Sequence, residues 1–150
     1  MKKKALLSHT YHQSAVIPYR IKEDRLQVLI ISSTKSKRWV VPKGIIEPHL
    51  TSAESAAQEA WEEAGIKGLV HPMMVGTYTY KKWTGICQVE VFLLRVDEIF
   101  DKWLESFRKR KWVSVPNAAE RMKEASLRDL ILQLPTLILV AEQPQNLSSG

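Results

Sequence analysis

The sequence predicts a mixed β-sheet covered by helices, which is an α/β (α+β) sandwich. Apolar runs with partial alternation, typical of strands, occur on both sides of one alanine-rich helical segment, and a second, unequal helical segment follows near the C-terminus. At 150 residues the chain fits one ordinary domain. We therefore expect residues 1–150 to form a single domain, with 143–150 as a flexible polar tail.

The first predicted element is a β-hairpin. Its strands are the apolar runs Ser14–Ile17 and Leu26–Ile31, and the charged stretch Lys22–Arg25 suits the turn between them. The next segment, 33–50, begins with basic residues and contains two prolines and a glycine. We expect it to be a loop, interrupted only by the short apolar run 39–41.

A helix is predicted to begin after Thr51. Thr51 and Glu54 have the spacing of a capping box, in which each side chain satisfies an unpaired amide at the helix start. The helix can continue to Gly65, a residue that commonly ends helices in the left-handed conformation. Because successive helical residues turn by about 100°, five alanines form a small-residue stripe that can dock on a sheet: Ala53, Ala56, Ala57, Ala60 and Ala64.

The C-terminal half contains two predicted strands, 75–80 and 86–96, and a shorter one at Trp112–Val115. A second helix is predicted from about Asn117 to Leu134, where apolar residues recur at helical spacing before a proline interrupts them. The apolar segment 137–141 fits neither assignment clearly.

Composition indicates which kinds of partner the protein binds and in which cellular compartment it works. Lys and Arg outnumber Asp and Glu by 22 to 16, for a net charge of +6 that favours polyanions, although a merely solvated basic surface has the same signature. The apolar run after the N-terminal lysines is too short for a signal peptide, and no stretch can span a bilayer. The only cysteine, Cys87, is expected to be a buried strand residue. These features predict a soluble, cytoplasmic protein without a membrane partner.

Three carboxylates, Glu59, Glu62 and Glu63, share one face of the predicted helix. Like charges at this spacing repel one another, and a cation would offset the repulsion. Mg²⁺ fits best because it prefers hard oxygen ligands and bridges to phosphates, and the four histidines show no zinc spacing. Taken alone, however, such a segment is more often a solvated acidic face.

The loop and the helix together resemble the Nudix box, G-x5-E-x7-R-E-U-x-E-E-x-G-U, where U is aliphatic. The matching positions are Gly44, Leu50, Gln58, Glu59, Ala60, Glu62, Glu63, Gly65 and Ile66. Two of them depart from the pattern, because Leu50 replaces the first Glu and Gln58 replaces the Arg. RWVVPKGIIEP at 38–48 and WLESFRKRKWVSV at 103–115 are similar to the diphosphoinositol polyphosphate phosphohydrolase branch, and the resemblance covers about residues 12–122.

This resemblance implies a Nudix α/β/α sandwich that hydrolyses diphosphates with Mg²⁺, or with Mn²⁺ in its place. For this branch it implies diphosphoinositol polyphosphates or dinucleoside polyphosphates as substrates. The implied metal ligands are Gly44, through its carbonyl, and Glu59, Glu62 and Glu63. Glu59 or Glu62 is the candidate catalytic base, and Glu105 is a more distant candidate. The departures at Leu50 and Gln58 leave a second hypothesis, a nucleotide or polyphosphate sensor without turnover.

Basic residues from three separate stretches are candidates for binding the phosphates of a small-molecule substrate. They are Arg20, Lys35, Arg38, Lys43, Arg108 and Arg110. We expect about half of the basic residues in these stretches to be merely solvated. Nucleic acid is the least favoured partner, because no recognition motif interleaves aromatic with basic residues. The sequence makes no prediction about oligomeric state.

Overall fold

The computed structural model describes residues 9–35, 37–82 and 84–143. The predicted flexible tail therefore lies, except for Gln143, outside the described residues. The strands are β1 (His9–Lys22), β2 (Arg25–Ser32), β3 (Trp39–Val40), β4 (Lys43–Ile45), β5 (Ile66–Val70), β6 (Gly76–Lys82), β7 (Gly85–Ile99) and β8 (Arg110–Ser114). The helices are α1 (Ser52–Ala64), α2 (Val115–Arg121), α3 (Ala125–Leu132) and α4 (Leu134–Ala141). Within the described residues, no helix is long and apolar enough to cross a bilayer.

One mixed sheet is built around β1 and β7. These two strands run parallel, with His9 beside Gly85 and Tyr19 beside Arg95 at the ends of the pairing. The sheet order is β3-β2-β1-β7-β5, and β4, β6 and β8 pair with β1, β7 and β2, respectively. All of these additional pairings are antiparallel. The central strands, β1 and β7, are thus hydrogen-bonded to other strands on both edges and support the loops.

Helices cover both faces of the sheet. Successive side chains of a strand point to opposite faces, and in β1 Val16 packs with the alanines of α1 whereas Ala15 and Ile17 pack with α2, α3 and α4. The predicted α/β/α sandwich is therefore confirmed. Cys87 is fully buried on β7, as expected from its size and polarity.

The predicted hairpin is present, with a turn at Glu23 and Asp24. Both residues have positive φ, 52° and 62°, which matches the right-handed twist of the flanking strands. Strand β1 begins at His9, five residues before the predicted Ser14. Its first residues are largely exposed and polar, so they lack an apolar signal and are held by pairing with β7.

The prediction of one helix from Asn117 to Leu134 was wrong. The backbone of Met122 is extended (ψ 142°), which ends α2, and α3 begins at Ala125. The guanidinium of Arg128 donates to the carbonyls of Met122 and Lys123 at 3.0 and 2.8 Å. These bonds satisfy backbone groups that a continuous helix would have used, so the break is stable.

The remaining differences are near prolines and in two short strands, of which β4 lies in the predicted loop 33–50 and is held by its pairing with β1. Pro116 lies in the first turn of α2, which the Ser114 side chain caps, and Pro135 lies in the first turn of α4. A proline is tolerated there because its missing N–H would have had no helical partner. The segment 137–141 is thus helical. Strand β5 was missed, since it is only five residues long and contains Gly68.

Candidate active site

Helix α1 positions the three predicted glutamates. The Thr51 side chain accepts from the Glu54 amide and the Glu54 carboxylate accepts from the Thr51 amide, so the predicted capping box is present. Gly65 ends the helix with φ 64°. Glu63 is buried, with 9% of its surface exposed, while Glu59 and Glu62 are half-buried. The alanine stripe thus brings the acidic face of α1 to the sheet edge rather than into solvent.

The segment around β4 closes over this acidic face. Gly44 pairs with Ser14 of β1, which fixes its backbone. A Cβ atom added to Gly44 would overlap the Glu59 carboxylate, so this carboxylate can keep its position only beside a glycine. The amide of Lys43 donates to the Glu63 carboxylate at 3.2 Å. The loop glycine and the helix glutamates therefore meet, as a shared metal site would require.

The donor set fits Mg²⁺. Within the described residues, no three His, Cys, Asp or Glu side chains form a ready-made metal cage. Mg²⁺ does not need such a cage, because it usually takes one or two carboxylates and completes its shell with water and substrate phosphate. Glu59 and Glu63 could provide that pair, and the Gly44 backbone lies against the first of them.

The electrostatics of the pair reflect burial beside a like charge. Burial, followed by repulsion from Glu63, raises the pKa of Glu59 to about 8. Burial also raises the pKa of Glu63, although Arg108 opposes this shift. Burial lowers the pKa of the neighbouring Lys43. Burial thus makes the charged form of each of these three groups less favourable than it is in water. A bound cation would relieve the repulsion between the two carboxylates.

A loop between β7 and β8 completes the site. The Glu105 amide donates to the Glu62 carbonyl at 3.0 Å, which ties the loop to the end of α1. The Arg108 guanidinium lies 2.9 Å from the Glu105 carboxylate and 3.9 Å from that of Glu63, and it donates to the Ser32 carbonyl at 2.8 Å. Arg108 therefore connects the loop, the helix and β2 next to the acidic pair.

The predicted substrate-binding cations separate into two groups. Four of them line a central cleft of about 260 Å³ beside Glu63: Lys35, Arg38, Lys43 and Arg108. Sequence reasoning missed other residues in its lining, among them Gln13, Tyr80 and Lys82. The Tyr80 hydroxyl donates to the Gln13 side chain at 2.7 Å, and Lys43 lies over the Tyr80 ring. These residues come from separate strands, so no local pattern could have identified them.

The other two cations have structural contacts elsewhere. Arg20 donates to the Gln27 side chain at 2.8 Å and stacks on Trp112. It lies six residues along β1 from Ser14, which is roughly 20 Å at about 3.3 Å per strand residue. Arg110 donates to the carbonyls of Ala64 and Phe100, both at 2.9 Å, and stacks on Trp103. Neither arginine lines the central cleft, so we leave both out of the proposed substrate site.

The departures from the Nudix pattern have visible consequences. The Gln58 side-chain amide donates to the Glu62 carboxylate at 2.9 Å, one helical turn away. It thus makes a hydrogen bond to a helix glutamate without supplying a charge. The backbone amide of Leu50 donates to the Glu47 carbonyl, and Glu54 is engaged in the capping box. Glu54 is therefore committed to the helix start and does not replace the missing acid.

Comparison with known proteins identifies the same domain. A family model described as NUDIX domain matches residues 10–134. The chain is 32% identical to Nudix hydrolase 16, mitochondrial, of Arabidopsis thaliana, over 72% of this chain and 64% of that protein. It is 30% identical to diphosphoinositol polyphosphate phosphohydrolase 2 of Rattus norvegicus, over 71% of this chain and 59% of that protein. The chain thus spans less than two thirds of the length of either relative.

A solved structure shows the same fold. The chain superposes on a C. elegans Ap4A hydrolase in a binary complex with a TM-score of 0.75. The match covers 87% of this chain and 98% of that chain, at 19% sequence identity. At this identity the likeness supports the architecture of the sheet and its helices.

Proposed function

Because the chain belongs to the Nudix family, we propose that it is a Mg²⁺-dependent pyrophosphohydrolase that cleaves a diphosphate bond in a polyanionic small molecule. The single observation that carries this proposal is the contact between the β4 segment and α1. There Gly44 lies against Glu59, and the Lys43 amide holds Glu63. A structural acidic face would not need two buried carboxylates beside each other under a glycine.

Glu59 and Glu63, with the Gly44 carbonyl, would hold the Mg²⁺ ion, and Glu62 is the third candidate ligand. Bound Mg²⁺ supplies charge neutralisation at the reacting phosphate and lowers the pKa of its bound water. Lys43 contributes a backbone amide to Glu63 and so fixes the direction of that carboxylate. Mn²⁺ has the same ligand preferences and would be expected to substitute.

The side chains around this pair have distinct proposed tasks. Glu59 or Glu62 accepts the proton of the attacking water, since both are on the half-buried face of α1. Lys35, Arg38 and Lys43 line the central cleft and bind the phosphates. Arg108 is engaged by Glu105 and Glu63, so its first task is to hold the loop against the helix.

Two substrate classes are compatible with the central cleft. Diphosphoinositol polyphosphates are favoured by its excess of cations, and the rat relative is named for them. Dinucleoside polyphosphates are the second class, and the C. elegans structure is that of an Ap4A hydrolase. Both contain the diphosphate bond that the proposed chemistry requires.

The experiment is phosphate release by the purified protein with Mg²⁺ across both substrate classes, nucleoside triphosphates and nucleotide sugars. The test variant is Glu62→Gln combined with Glu63→Gln. The matched control is Glu54→Gln on the same helix, because glutamine at this position keeps the capping box. We expect turnover in the wild type and the control, and none in the double variant or with EDTA. Turnover that survives in the double variant would contradict the proposal.

The second candidate function is a sensor that binds nucleotide or polyphosphate without turnover. The observation that favours it is Gln58, whose uncharged amide takes the place of an arginine beside Glu62. A sensor would bind these ligands in calorimetry yet release no phosphate with any substrate or metal. An enzyme would show both binding and release, so the same protein sample distinguishes the two functions.

We also propose that the chain is one domain that works in the cytoplasm on phosphorylated small molecules, without nucleic-acid or membrane partners. The two apolar cores share a single sheet, which supports one folding unit. The buried free thiol of Cys87 is compatible with a reducing compartment. Fluorescence imaging of the tagged protein in its native cell tests the compartment.

A further inference from the structure

We propose that Phe107 and the lysines around it form a second binding subsite, which takes an aromatic ring that carries phosphate groups, such as the nucleoside end of a nucleotide. This inference rests on the proposed function, because the subsite continues from the central cleft. It identifies Phe107 as a residue that determines which substrates the protein prefers.

The subsite is a cleft of about 590 Å³ lined by residues 32–35 and 37–39 and by Phe107 and Lys109, here called the Phe107 cleft. Its charged lining consists of four cations: Lys35, Lys37, Arg38 and Lys109. Among the described residues, none in this lining is acidic. The cleft therefore attracts phosphate oxygens from more than one direction.

Phe107 provides a largely exposed ring at the edge of this cleft, and the Arg108 guanidinium carbon lies 5.8 Å from the centre of this ring. Its side chain is 69% exposed, although it is one residue from Arg108, which is fixed by Glu105 and Ser32. The ring is thus exposed on a loop that these contacts of Arg108 anchor. Covering an exposed aromatic ring removes a large apolar area from water, so a flat ring of a ligand would bind there favourably.

The Phe107 cleft and the central cleft share cations. Lys35 and Arg38 line both of them, together with Ser33 and Thr34. Phosphates bound near Glu63 can therefore continue past Arg38 towards Phe107 without leaving a basic surface. This continuity matches a ligand in which a phosphate chain joins the cleaved bond to a ring.

A third cleft, of about 550 Å³, offers a contrast. It contains Lys81, Lys82 and Lys123 and is here called the lysine cleft. Its rings are buried or half-buried: Tyr78 packs against Tyr80, Lys43 lies over the Tyr80 ring, and Trp39, which also lines the Phe107 cleft, packs against the core. The lysine cleft thus offers charge without a largely exposed ring, whereas the Phe107 cleft offers charge and a ring that is 69% exposed, so the ring of a nucleotide belongs at Phe107.

The test compares ATP with inorganic tripolyphosphate, which has the phosphate chain without the base. Calorimetric affinities are measured for the wild type, Phe107→Ala and Leu104→Ala. Leu104 is the matched control because it is 75% exposed on the same loop and does not line the Phe107 cleft. We expect Phe107→Ala to weaken ATP binding about tenfold, as for loss of base stacking, and to leave tripolyphosphate binding unchanged. Leu104→Ala should change neither affinity. Phe107→Trp keeps an aromatic ring and should bind ATP about as tightly as the wild type does.

Three outcomes would overturn the proposal. They are unchanged ATP affinity in Phe107→Ala, equal weakening of ATP and tripolyphosphate, and failure of the wild type to bind ATP more tightly than tripolyphosphate. Thermal melting of each variant excludes unfolding as the cause of lost binding. Because the readout is binding, a catalytically inactive protein whose ATP affinity depends on Phe107 would refute the proposed hydrolase and keep the subsite.

Discussion

Two polar clusters lie beside different parts of the β1–β7 pairing, one at its middle and one at its Tyr19 end, and their charges are arranged differently. Near Ser14, at the middle, the carboxylates of Glu59 and Glu63 lie beside each other under Gly44. At the Tyr19 end, the Tyr19 hydroxyl donates to the Glu142 carboxylate at 2.8 Å and lies 2.7 Å from the Nε2 atom of His71. The first cluster brings like charges together, whereas the second joins complementary groups.

The difference separates a binding site from a structural contact. Arg95 lies 3.6 Å from Glu142, so the charge of this carboxylate is compensated within the fold. Glu142 directly follows α4, and the cluster therefore holds the last helix to β1 and β7. In the acidic cluster, Arg108 and the Lys43 amide compensate Glu63 only in part. The remaining charge is what a cation would neutralise, so stability and function should respond oppositely in the two clusters.

The largest expected effect is that of Glu59→Gln. This variant should lower kcat/KM by at least about a hundredfold, the lower end of what general acid–base groups contribute. In EDTA above about pH 8, where Glu59 is ionised, it should also raise the melting temperature, because it removes a buried negative charge beside Glu63. Enzyme kinetics and thermal denaturation measure the two effects. A variant that lost both activity and stability would show that Glu59 is mainly a structural residue.

Tyr19→Phe should have the reverse pattern. Removal of the hydroxyl leaves Glu142 and His71 without their shared partner, which costs about 1–3 kcal/mol in the free energy of unfolding. Because the proposed active site lies away from this cluster, beside the middle of the β1–β7 pairing, kcat/KM should stay within twofold of the wild type. Urea denaturation checks the stability. Tyr11→Phe is the control, since its hydroxyl is on the exposed part of β1, and equal losses in both variants would contradict the distinction.

His71 makes the structural cluster sensitive to acid. Burial lowers the pKa of His71, and the nearby Arg95 adds to this while Glu142 opposes it. Its Nε2 atom contacts Tyr19, and no described group is placed to accept a proton from its buried Nδ1 atom. The unfolded chain therefore takes up the proton first as the pH falls, so stability is present above about pH 6.5 and is lost below it.

We expect a stability loss on the order of 1 kcal/mol from this group between pH 7 and pH 5. Urea denaturation at both pH values, for the wild type and His71→Gln, measures it. The variant should lose less stability on acidification than the wild type. His12→Gln, at an exposed position of β1, should behave as the wild type does. An unchanged pH dependence in His71→Gln would show that other groups cause the acid sensitivity.

The two clusters were not equally visible in the sequence. Helix α1 could be predicted because its signals are local: the capping pair Thr51 and Glu54, the alanine period and Gly65. Its three glutamates are within five residues of one another, so helix geometry alone places them together. In contrast, Tyr19 is 52 residues from His71 and 123 from Glu142. Only the sheet pairing brings these three together, and no local pattern specifies that pairing.

Basic residues show the same limit. Arg108 and Arg110 are two positions apart in the sequence, yet Arg108 reaches Glu63 while Arg110 donates to the carbonyls of Ala64, at the end of α1, and Phe100. Side chains alternate along an extended segment, but which face is the site depends on how the segment docks. The break in the predicted helix 117–134 likewise depends on Arg128, whose bonds to Met122 and Lys123 are visible only in the fold.

The smallest expected effect concerns the hydrogen bond that orients Glu62 in the acidic cluster for metal binding. Gln58 is exposed and donates to Glu62 at 2.9 Å, and a charged donor at this position makes a hydrogen bond about twice as strong. The double variant Gln58→Arg with Leu50→Glu should therefore raise kcat by about two- to fivefold or tighten Mg²⁺ binding, a change of at most about 1 kcal/mol. Steady-state kinetics across a Mg²⁺ titration measures both quantities. Gln58→Ala is the opposing control and should lower kcat by a similar factor. If both variants match the wild type, Glu62 is oriented by its other contacts, and the orientation of the acidic cluster is fixed within the fold, as it is in the Tyr19 cluster.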